Sequence, residues 1–201
     1  MLVLTNMKTS RQYTMRARAA SAEETRRRVL TAAGDLLRRR LRSDIRLDDV
    51  AAGAGVTVPT VLRIFGSKDQ LFQLAFDGLV AEMSRQLGSA VPGDVDAAVR
   101  TWFDHYETFG DAVVNSLAEE HDPAVAPIVR VGRARHRERV ERVLAPRLER
   151  FTEGERTRVV DALVCASDVY TWKLLRRDNH RPRPQAEATM KLMIDSILGG
   201  G

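Results

Sequence analysis

Apolar residues recur every three or four positions along most of this chain, whereas the strict alternation typical of a strand is absent. Ser21 and Glu24 have the spacing of a capping box, which marks the start of a helix. We therefore predict a first helix over 22–40, with one apolar stripe made of Val29, Leu30, Ala33, Leu36, Leu37 and Leu41. Residues 1–20 have no such stripe, and we expect them to form a flexible basic arm.

Two short helices are predicted next. The first runs from Leu47 to Ala54, and Gly55 supplies the left-handed turn that ends it. Thr57 can cap the second, which tolerates Pro59 in its first turn and ends near Phe65. A further capping box at 67–70 begins a longer helix.

The remainder of the chain also has helical periodicity. After a linker over 88–93, we predict helices at 94–108, 111–121, 124–150, 155–177 and 184–198. Asp94 and the capping box from Thr152 to Glu155 can begin two of these helices, and Pro182 and Pro184 separate the last two. No hairpin turn of the Asn-Gly or Asp-Gly type occurs. The pattern therefore predicts an all-α fold.

Charge is unevenly distributed along the 201 residues. Residues 1–46 contain 12 Lys and Arg against 4 Asp and Glu, a net charge of +8, while the rest contains 20 against 23, a net charge of −3. A basic end on a slightly acidic remainder is typical of proteins that bind a polyanion, although an arginine-rich solvated surface would give the same composition.

Composition also limits the class of protein. Hydrophobic residues make up 44% and charged residues 29%, which is ordinary for a globular protein. No apolar stretch approaches the roughly 20 residues that a membrane helix needs, and no secretory signal is apparent. Cys165 is the only cysteine, and its apolar neighbours predict a buried, reduced thiol. We expect a cytoplasmic protein with no membrane partner.

The most informative segment is 47–72, LDDVAAGAGVTVPTVLRIFGSKDQLF. Two helices joined by a tight glycine turn, with the small Ala51 where they approach, predict a helix-turn-helix. Three stretches resemble the TetR family of bacterial repressors: Val50-Ala51 with Ala54-Gly55-Val56, Thr57-x-x-Thr60-Val61, and Phe65-Gly66-Ser67-Lys68-Asp69-x-Leu71. The resemblance implies a three-helix DNA-binding domain over 21–67 and a helical ligand-binding and dimerisation domain over 68–201.

The same resemblance assigns DNA-binding roles by position. Thr57, Val58, Thr60, Val61 and Arg63 lie on or beside the recognition helix, and Lys68 matches a family lysine that reaches a phosphate. Arg26, Arg27 and Arg46 are further candidates for phosphate contacts, which position a protein without reading sequence. Val56, Val61 and Phe65 also fit a hydrophobic core, and a solvated surface is the alternative for the three arginines.

The chain departs from the family pattern at two positions. Leu62 replaces a tyrosine that often contacts the DNA backbone, and Leu41 replaces a glycine that is common before the second helix. We expect base reading to use thymine methyl groups, Thr60 and Arg63, and we expect the turn at Leu41 to be built differently.

The resemblance further implies a homodimer that binds a palindromic operator and a small-molecule effector. Aromatic residues and histidines suggest Trp102, Tyr106, His121 and Trp172 as the pocket wall, although aromatic stripes at helical spacing also form ordinary cores. Apolar residues on several faces of the last two long helices predict the dimer interface. We interpret the arginine run over 130–139 as a solvated, partly self-paired surface with Arg133 reaching inward.

Two other classes of function are alternatives to a regulator. A helical metalloenzyme or hydrolase is disfavoured, since no paired histidines, nucleophile motif or phosphate loop occurs; we expect no catalytic residues, no metal and no cofactor. A helical adaptor whose basic end binds protein or RNA is the remaining alternative. The operator sequence, the effector, the regulated genes and the choice between repression and activation are not encoded in readable patterns.

Overall fold

In a computed structural model, residues 4–86 and 91–199 are described, and these residues form helices with no strand. The helices of the N-terminal part are α1 (Leu4–Leu37), α2 (Leu47–Ala54), α3 (Val58–Phe65) and α4 (Lys68–Gln86). They are followed by α5 (Val95–Ala118), α6 (Ala126–Leu148), α7 (Glu153–Ala166) and α8 (Val169–Lys173). A π-helical turn (Leu174–Asp178) extends α8, and α9 (Arg183–Gly199) ends the described chain. The predicted all-α fold is confirmed.

The chain divides into two compact units. Of the described residues, 4–37 and 43–79 form the first unit, which we call the head, and 38–42, 80–86 and 91–199 form the second, the body. The long helix α4 therefore begins in the head and ends in the body. The functional boundaries predicted at 20/21 and 67/68 stay predictions.

The head is built on packing of α1 against α2 and of α2 against α3. Its buried side chains are aliphatic or aromatic, as the apolar stripes predict: Val29, Ala33, Leu37, Ile45, Val50, Ala51, Ala54, Val61, Phe65, Leu71, Phe72, Ala75, Phe76 and Leu79. The small Ala51 and Ala54 allow a close approach of α2 to its neighbours.

The body packs α5 against α8 and α9, and α7 against α6 and α9. One continuous hydrophobic core fills the space between these helices. Its largest fully buried members are Trp102, Trp172, Phe103, Leu144, Leu148, Leu163, Met190 and Ile194. None of the helices in the described parts of the chain is both long and apolar enough to cross a membrane.

Helix α1 begins much earlier than predicted. The flexible arm expected over 1–20 is helical from Leu4 onward, and residues 1–3 lie outside the described residues. Residues 4–20 contain neither glycine nor proline, so that a helix nucleated farther along can extend backwards at little cost. Ser21 lies inside the helix, where its carbonyl accepts the hydroxyl of Thr25, and Glu24 pairs with Arg27 rather than closing a capping box.

Helix α5 runs through Gly110, where two helices were predicted. Gly110 is a glycine because a neighbouring ring packs against it, and it does not form a turn. The ring of Trp172 lies so close that a Cβ at position 110 would be 2.4 Å from it, which no side chain larger than hydrogen permits. Gly110, which suggests a helix end in the sequence, is therefore the residue against which the indole of Trp172 packs.

The single helix predicted over 155–177 is interrupted instead. Helix α7 ends at Ala166, and Asp168 begins α8 by accepting the backbone N–H of Tyr170 at 2.8 Å. Cys165 near this break is exposed, so the prediction of a buried thiol is wrong. Its apolar sequence neighbours do not determine which face of the helix it occupies.

Other predicted helix starts are confirmed. Ser67 accepts the backbone N–H of Gln70 at 3.1 Å, and Asp94 accepts that of Ala97 at 2.8 Å. Glu155 accepts both the backbone N–H of Thr152 at 3.0 Å and its hydroxyl at 2.6 Å.

The turn around Leu41 is held by ionic contacts within the body. The backbone N–H of Arg42 donates to Glu119 at 2.7 Å, and its guanidinium pairs with Asp122 at 3.0 Å. Arg38 pairs with Glu82. These contacts order the turn without the glycine that the TetR pattern has at this position.

Candidate nucleic-acid interface

The turn between α2 and α3 is fixed by backbone hydrogen bonds. Gly55 has φ +64° and ψ 42°, a left-handed conformation that favours glycine. The N–H of Val56 then donates to the carbonyl of Ala51 at 3.0 Å, which closes the end of α2. Thr57 is extended, and α3 begins at Val58 with Pro59 in its first turn.

Helix α3 has a buried face and an outward face. Val61 and Phe65, four residues apart, are buried. Pro59 and Arg63, also four residues apart, are exposed, and Leu62 beside them is 40% exposed. The eight residues of α3 therefore present one side to the core and offer the other to a partner.

The predicted recognition residues divide between these faces. Thr57 and Arg63 are exposed, and Val58 and Thr60 are half-buried. The Thr57 and Thr60 hydroxyls hydrogen-bond each other at 3.1 Å, so Thr57 does not cap the backbone of α3 as predicted. Val61 is fully buried, and its prediction as a DNA-contacting residue is wrong because it belongs to the core of the head.

Two of the predicted cations lie over aromatic rings. The guanidinium of Arg26 is 5.2 Å from the ring centre of Phe65, the last residue of α3, and the ammonium of Lys68 is 5.7 Å from that of Phe72. Such contacts hold a cation in place while leaving it charged. Arg26 in α1 is thereby positioned beside the end of α3.

Two more of the predicted cations, Arg27 and Arg46, are exposed like Arg63. Arg27 pairs with Glu24 at 2.6 Å, and both side chains are at least half exposed, so the pair is worth at most about 1 kcal/mol and Arg27 can exchange it for another anion. Arg46 precedes α2, and its backbone N–H is held by Asp49 at 3.0 Å while its side chain is exposed.

One further cation of the head, Arg28, lies beside this site. The Nη1 atom of Arg28 is 3.8 Å from the position that a Cβ of Gly55 would occupy, which places the guanidinium at the turn of the helix-turn-helix. No spacing rule could have found it, because the contact joins α1 to α2 across the head.

In the body, the predicted pocket residues separate into two places. Trp102, Tyr106 and Trp172 are buried in one core cluster, and the rings of Tyr106 and Trp172 lie 6.0 Å apart. His121 is exposed and lines an open cleft of about 390 Å³ together with Glu120, Val129, Arg130 and Arg133. His121 therefore lies apart from the three buried aromatic residues, and its role in ligand binding stays a prediction.

Two of the buried aromatic side chains form hydrogen bonds. The Tyr106 hydroxyl donates to the carbonyl of Ser167 at 2.8 Å, and the Trp172 indole N–H donates to Glu107 at 3.2 Å. Glu107 also accepts from Arg176 at 2.5 Å. Although burial opposes its ionisation, these hydrogen bonds lower the pKa of the Glu107 carboxyl.

The arginines of the run in α6 differ in their ion pairs and in their exposure. Arg133 pairs with Glu120 at 2.5 Å but is largely exposed, and Arg137 pairs with Asp161 at 2.6 Å and Glu141 at 3.1 Å. Arg139 is the member of the run that turns inward, because its Nε atom is buried. The expectation that Arg133 reaches inward is wrong.

A group of buried polar side chains accompanies Arg139. His105 is 7% exposed, and its Nδ1 has no hydrogen-bond partner among the described residues. Burial, together with the charges of Arg139 and His136, lowers the pKa of His105 to about 4. His136 lies 3.2 Å from the Ser167 hydroxyl and stacks edge-on with Trp102, and burial lowers its pKa as well. The described residues contain no cluster of three or more side chains suited to a metal ion.

Comparisons with known proteins identify the architecture. No protein-family model matches the chain, and neither does any curated protein. A TetR-family transcriptional regulator from Streptomyces coelicolor superposes with a TM-score of 0.68 at 18% identity, over 89% of this chain and 82% of that chain. A transcriptional regulator from Rhodococcus sp. Rha1 superposes with a TM-score of 0.68 at 20% identity, over 87% of this chain and 96% of that chain. The chain therefore has the fold of TetR-family transcriptional regulators, in agreement with the resemblance of its helix-turn-helix segment.

Proposed function

We propose that this protein is a homodimeric transcriptional regulator that binds a palindromic operator through α3, and that it is a repressor released by a small-molecule ligand. Its fold is that of two transcriptional regulators, which makes DNA binding the first function to consider. Because one fold serves many functions, the proposal rests on the residues of α3 and its surroundings.

The observation that carries the proposal is the division of α3 into two faces. Val61 and Phe65 attach the helix to the head, while Thr57, Leu62 and Arg63 remain available for contact. A helix of eight residues is about 12 Å long, which matches the width of the major groove, also about 12 Å. Arg63 suits guanine, and the methyl groups of Leu62 and Val58 suit thymine.

Cations around α3 support contacts to phosphates. Arg26 is positioned at the end of α3 by Phe65, Arg28 lies at the turn, and Lys68 begins α4. Arg27 and Arg46 add exposed positive charge. Contacts of this kind would fix the orientation of the head on the duplex, and they are expected to supply much of its salt-dependent affinity.

Exposed apolar side chains near the C-terminus support a dimer. Tyr170, Leu174 and Leu192 are each at least half exposed, on α8, the π-helical turn and α9. Large apolar groups left in water favour burial against a second subunit. A two-fold dimer would present two copies of α3 to the two halves of a palindrome.

Duplex selection tests this proposal directly. Purified full-length protein is offered a random duplex library at physiological salt, and bound sequences are enriched and aligned. The proposal expects an inverted repeat, and expects Arg63→Ala to change the enriched sequence while Arg147→Ala, an exposed arginine of α6, does not. Binding without an enriched repeat would contradict the proposal and favour a generic polyanion surface.

A further inference from the structure

The first half of α1 is a basic helical segment without an acidic residue. Residues 4–20, which we call the α1 extension, contain Lys8, Arg11, Arg16 and Arg18 but neither Asp nor Glu, so their net charge is +4. The rest of the helix, residues 21–37, contains three basic and three acidic residues and has no net charge. The positive charge of α1 is therefore concentrated in the extension.

The extension adds nothing to the described core of the head. The buried side chains of α1 begin at Val29, and the described side chains at 16–20 are all exposed. Like charges three residues apart, as at positions 8 and 11, slightly destabilise a helix, and the segment has no carboxylate of its own to offset them. In the arginine run of α6, by contrast, Arg133 and Arg137 pair with carboxylates. The cations of the extension therefore suit an anion from outside the chain.

Helical register puts the four basic positions on one side of α1. With 3.6 residues per turn, position 8 precedes Arg26 by five turns, and positions 11, 16 and 18 lie within about 80° of it around the axis. The guanidinium of Arg26 is 5.2 Å from the ring centre of Phe65, the last residue of α3. The extension begins six residues before Arg26, about 9 Å along the helix. It therefore starts beside α3, and its basic positions are on the same side of α1 as Arg26.

We propose that the α1 extension is a second DNA-binding surface, which contacts phosphates outside the half-site bound by α3. Its 17 helical residues span about 25 Å, while a duplex carries one phosphate charge per about 1.7 Å of its axis. The extension is therefore long enough to pass several phosphates. Such contacts add affinity without reading sequence. This inference rests on the proposed binding of DNA by the head and extends the surface that binds it.

The test is the salt dependence of binding to a duplex of scrambled sequence, about 40 base pairs long, measured by fluorescence anisotropy. The variant replaces the four cations of the extension by glutamine in one full-length chain, because glutamine favours helices and carries no charge. Each neutralised phosphate contributes about 0.9 to the slope of log affinity against log salt concentration, so the slope should fall by about three to four per bound subunit. At physiological salt, the affinity should fall at least about tenfold.

Two further full-length variants are the controls. The first removes the same charge from the body by replacing four exposed arginines with glutamine, and its slope should stay within about one of the wild-type value. These arginines are Arg142, Arg147, Arg150 and Arg156. The second control, Arg11→Lys with Arg16→Lys and Arg18→Lys, retains the charge of the extension. It should bind like the wild type, because a lysine ammonium also neutralises a phosphate.

Three results would overturn the inference: an unchanged slope for the glutamine variant of the extension, an equal fall for the glutamine variant of the body, or a reduced slope for the lysine variant. Because the scrambled duplex contains no operator, the two proposals fail separately. A reduced slope without an enriched palindrome would count against the regulator alone. An enriched palindrome with an unchanged slope would count against the extension alone.

Discussion

The head and the body treat polar side chains in opposite ways. In the head, the described buried side chains are apolar, and the arginines and Lys68 lie at the surface or over an aromatic ring. In the body, the described buried polar side chains are His105 and Ser167, and Arg139 directs a buried Nε toward no partner. The head keeps its polar side chains at the surface, whereas the body buries some of its polar atoms.

This difference suits two different partners. A phosphate backbone is an extended polyanion, and exposed cations on a rigid core can meet it without rearrangement. A small ligand must be enclosed, so its recognition groups have to lie inside the body before it arrives.

The largest expected effect is on operator binding, and it tests whether the DNA-binding head requires a dimer formed by two bodies. Leu192→Glu places a charge on a side chain of α9 that is 66% exposed in one subunit, and we expect it to separate the dimer. Loss of one half-site contact should weaken operator binding on the order of 100-fold. Sedimentation gives the oligomeric state, and fluorescence anisotropy gives the affinity.

Val91→Glu is the matched control for that variant. Val91 is also 66% exposed but lies before α5 rather than on the last helices. It should remain dimeric and bind the operator normally. A dimeric Leu192→Glu, or a monomeric Val91→Glu, would refute the proposed interface.

The next effect concerns the buried imidazole of the body. Because the pKa of folded His105 is about 4, below its ordinary 6.5, the unfolded chain takes up the proton first as the pH falls. The stabilisation is complete above about pH 6.5 and is lost toward pH 4, by about 2–3 kcal/mol. The lowered pKa of His136 acts in the same direction.

Denaturant unfolding at several pH values measures this dependence. His105→Phe should flatten the fall in unfolding free energy between pH 6.5 and 4, whatever its effect at neutral pH. An unchanged slope in the variant would show that the acid sensitivity of the body arises elsewhere.

A third prediction tests the packing of α5. Gly110→Ala would place a methyl group 2.4 Å from the ring of Trp172, and we expect it to reduce the unfolding free energy by about 2 kcal/mol. Gly132→Ala in α6 is the matched control, because no atom lies within 4 Å of its Cβ position and alanine favours helices. If both variants were equally stable, the contact between Gly110 and Trp172 would not be a feature of the folded protein.

The smallest effects separate base reading from phosphate binding in the head. Lys68→Ala should weaken binding to every duplex by about 1 kcal/mol. It should also reduce the slope of log affinity against log salt concentration by about one. Arg63→Ala should change the preference at one base pair of each half-site. Anisotropy titrations at several salt concentrations distinguish the two, and identical profiles for both variants would contradict the separate roles.

The head was largely predictable from the sequence. Short-range rules identify Gly55 as the left-handed turn, Ser67 as a cap, and Val61 and Phe65 as core positions, because each depends on residues a few positions apart. The same rules failed for the start of α1, because no glycine or proline in residues 4–20 separates that segment from the predicted helix. They also could not find Arg28, whose contact is tertiary.

The body was predictable only as a set of helices. Gly110 looks like a helix end in sequence, although its role is decided by Trp172, 62 positions farther along the chain. Arg139 is indistinguishable from its neighbours in an arginine run, and the burial of its Nε atom follows only from how α6 packs. The separation of His121 from the aromatic cluster likewise follows from how the helices of the body pack. Contacts between distant residues determine a pocket, and periodicity does not encode them.

The most direct test of the account compares two duplexes at one salt concentration: the selected palindrome and the same duplex with both half-sites scrambled. We predict that full-length protein binds the palindrome at least about 10³-fold more tightly, with two subunits per duplex. Equal affinity for the two duplexes would contradict sequence reading by α3 and leave the head as a non-specific cationic surface.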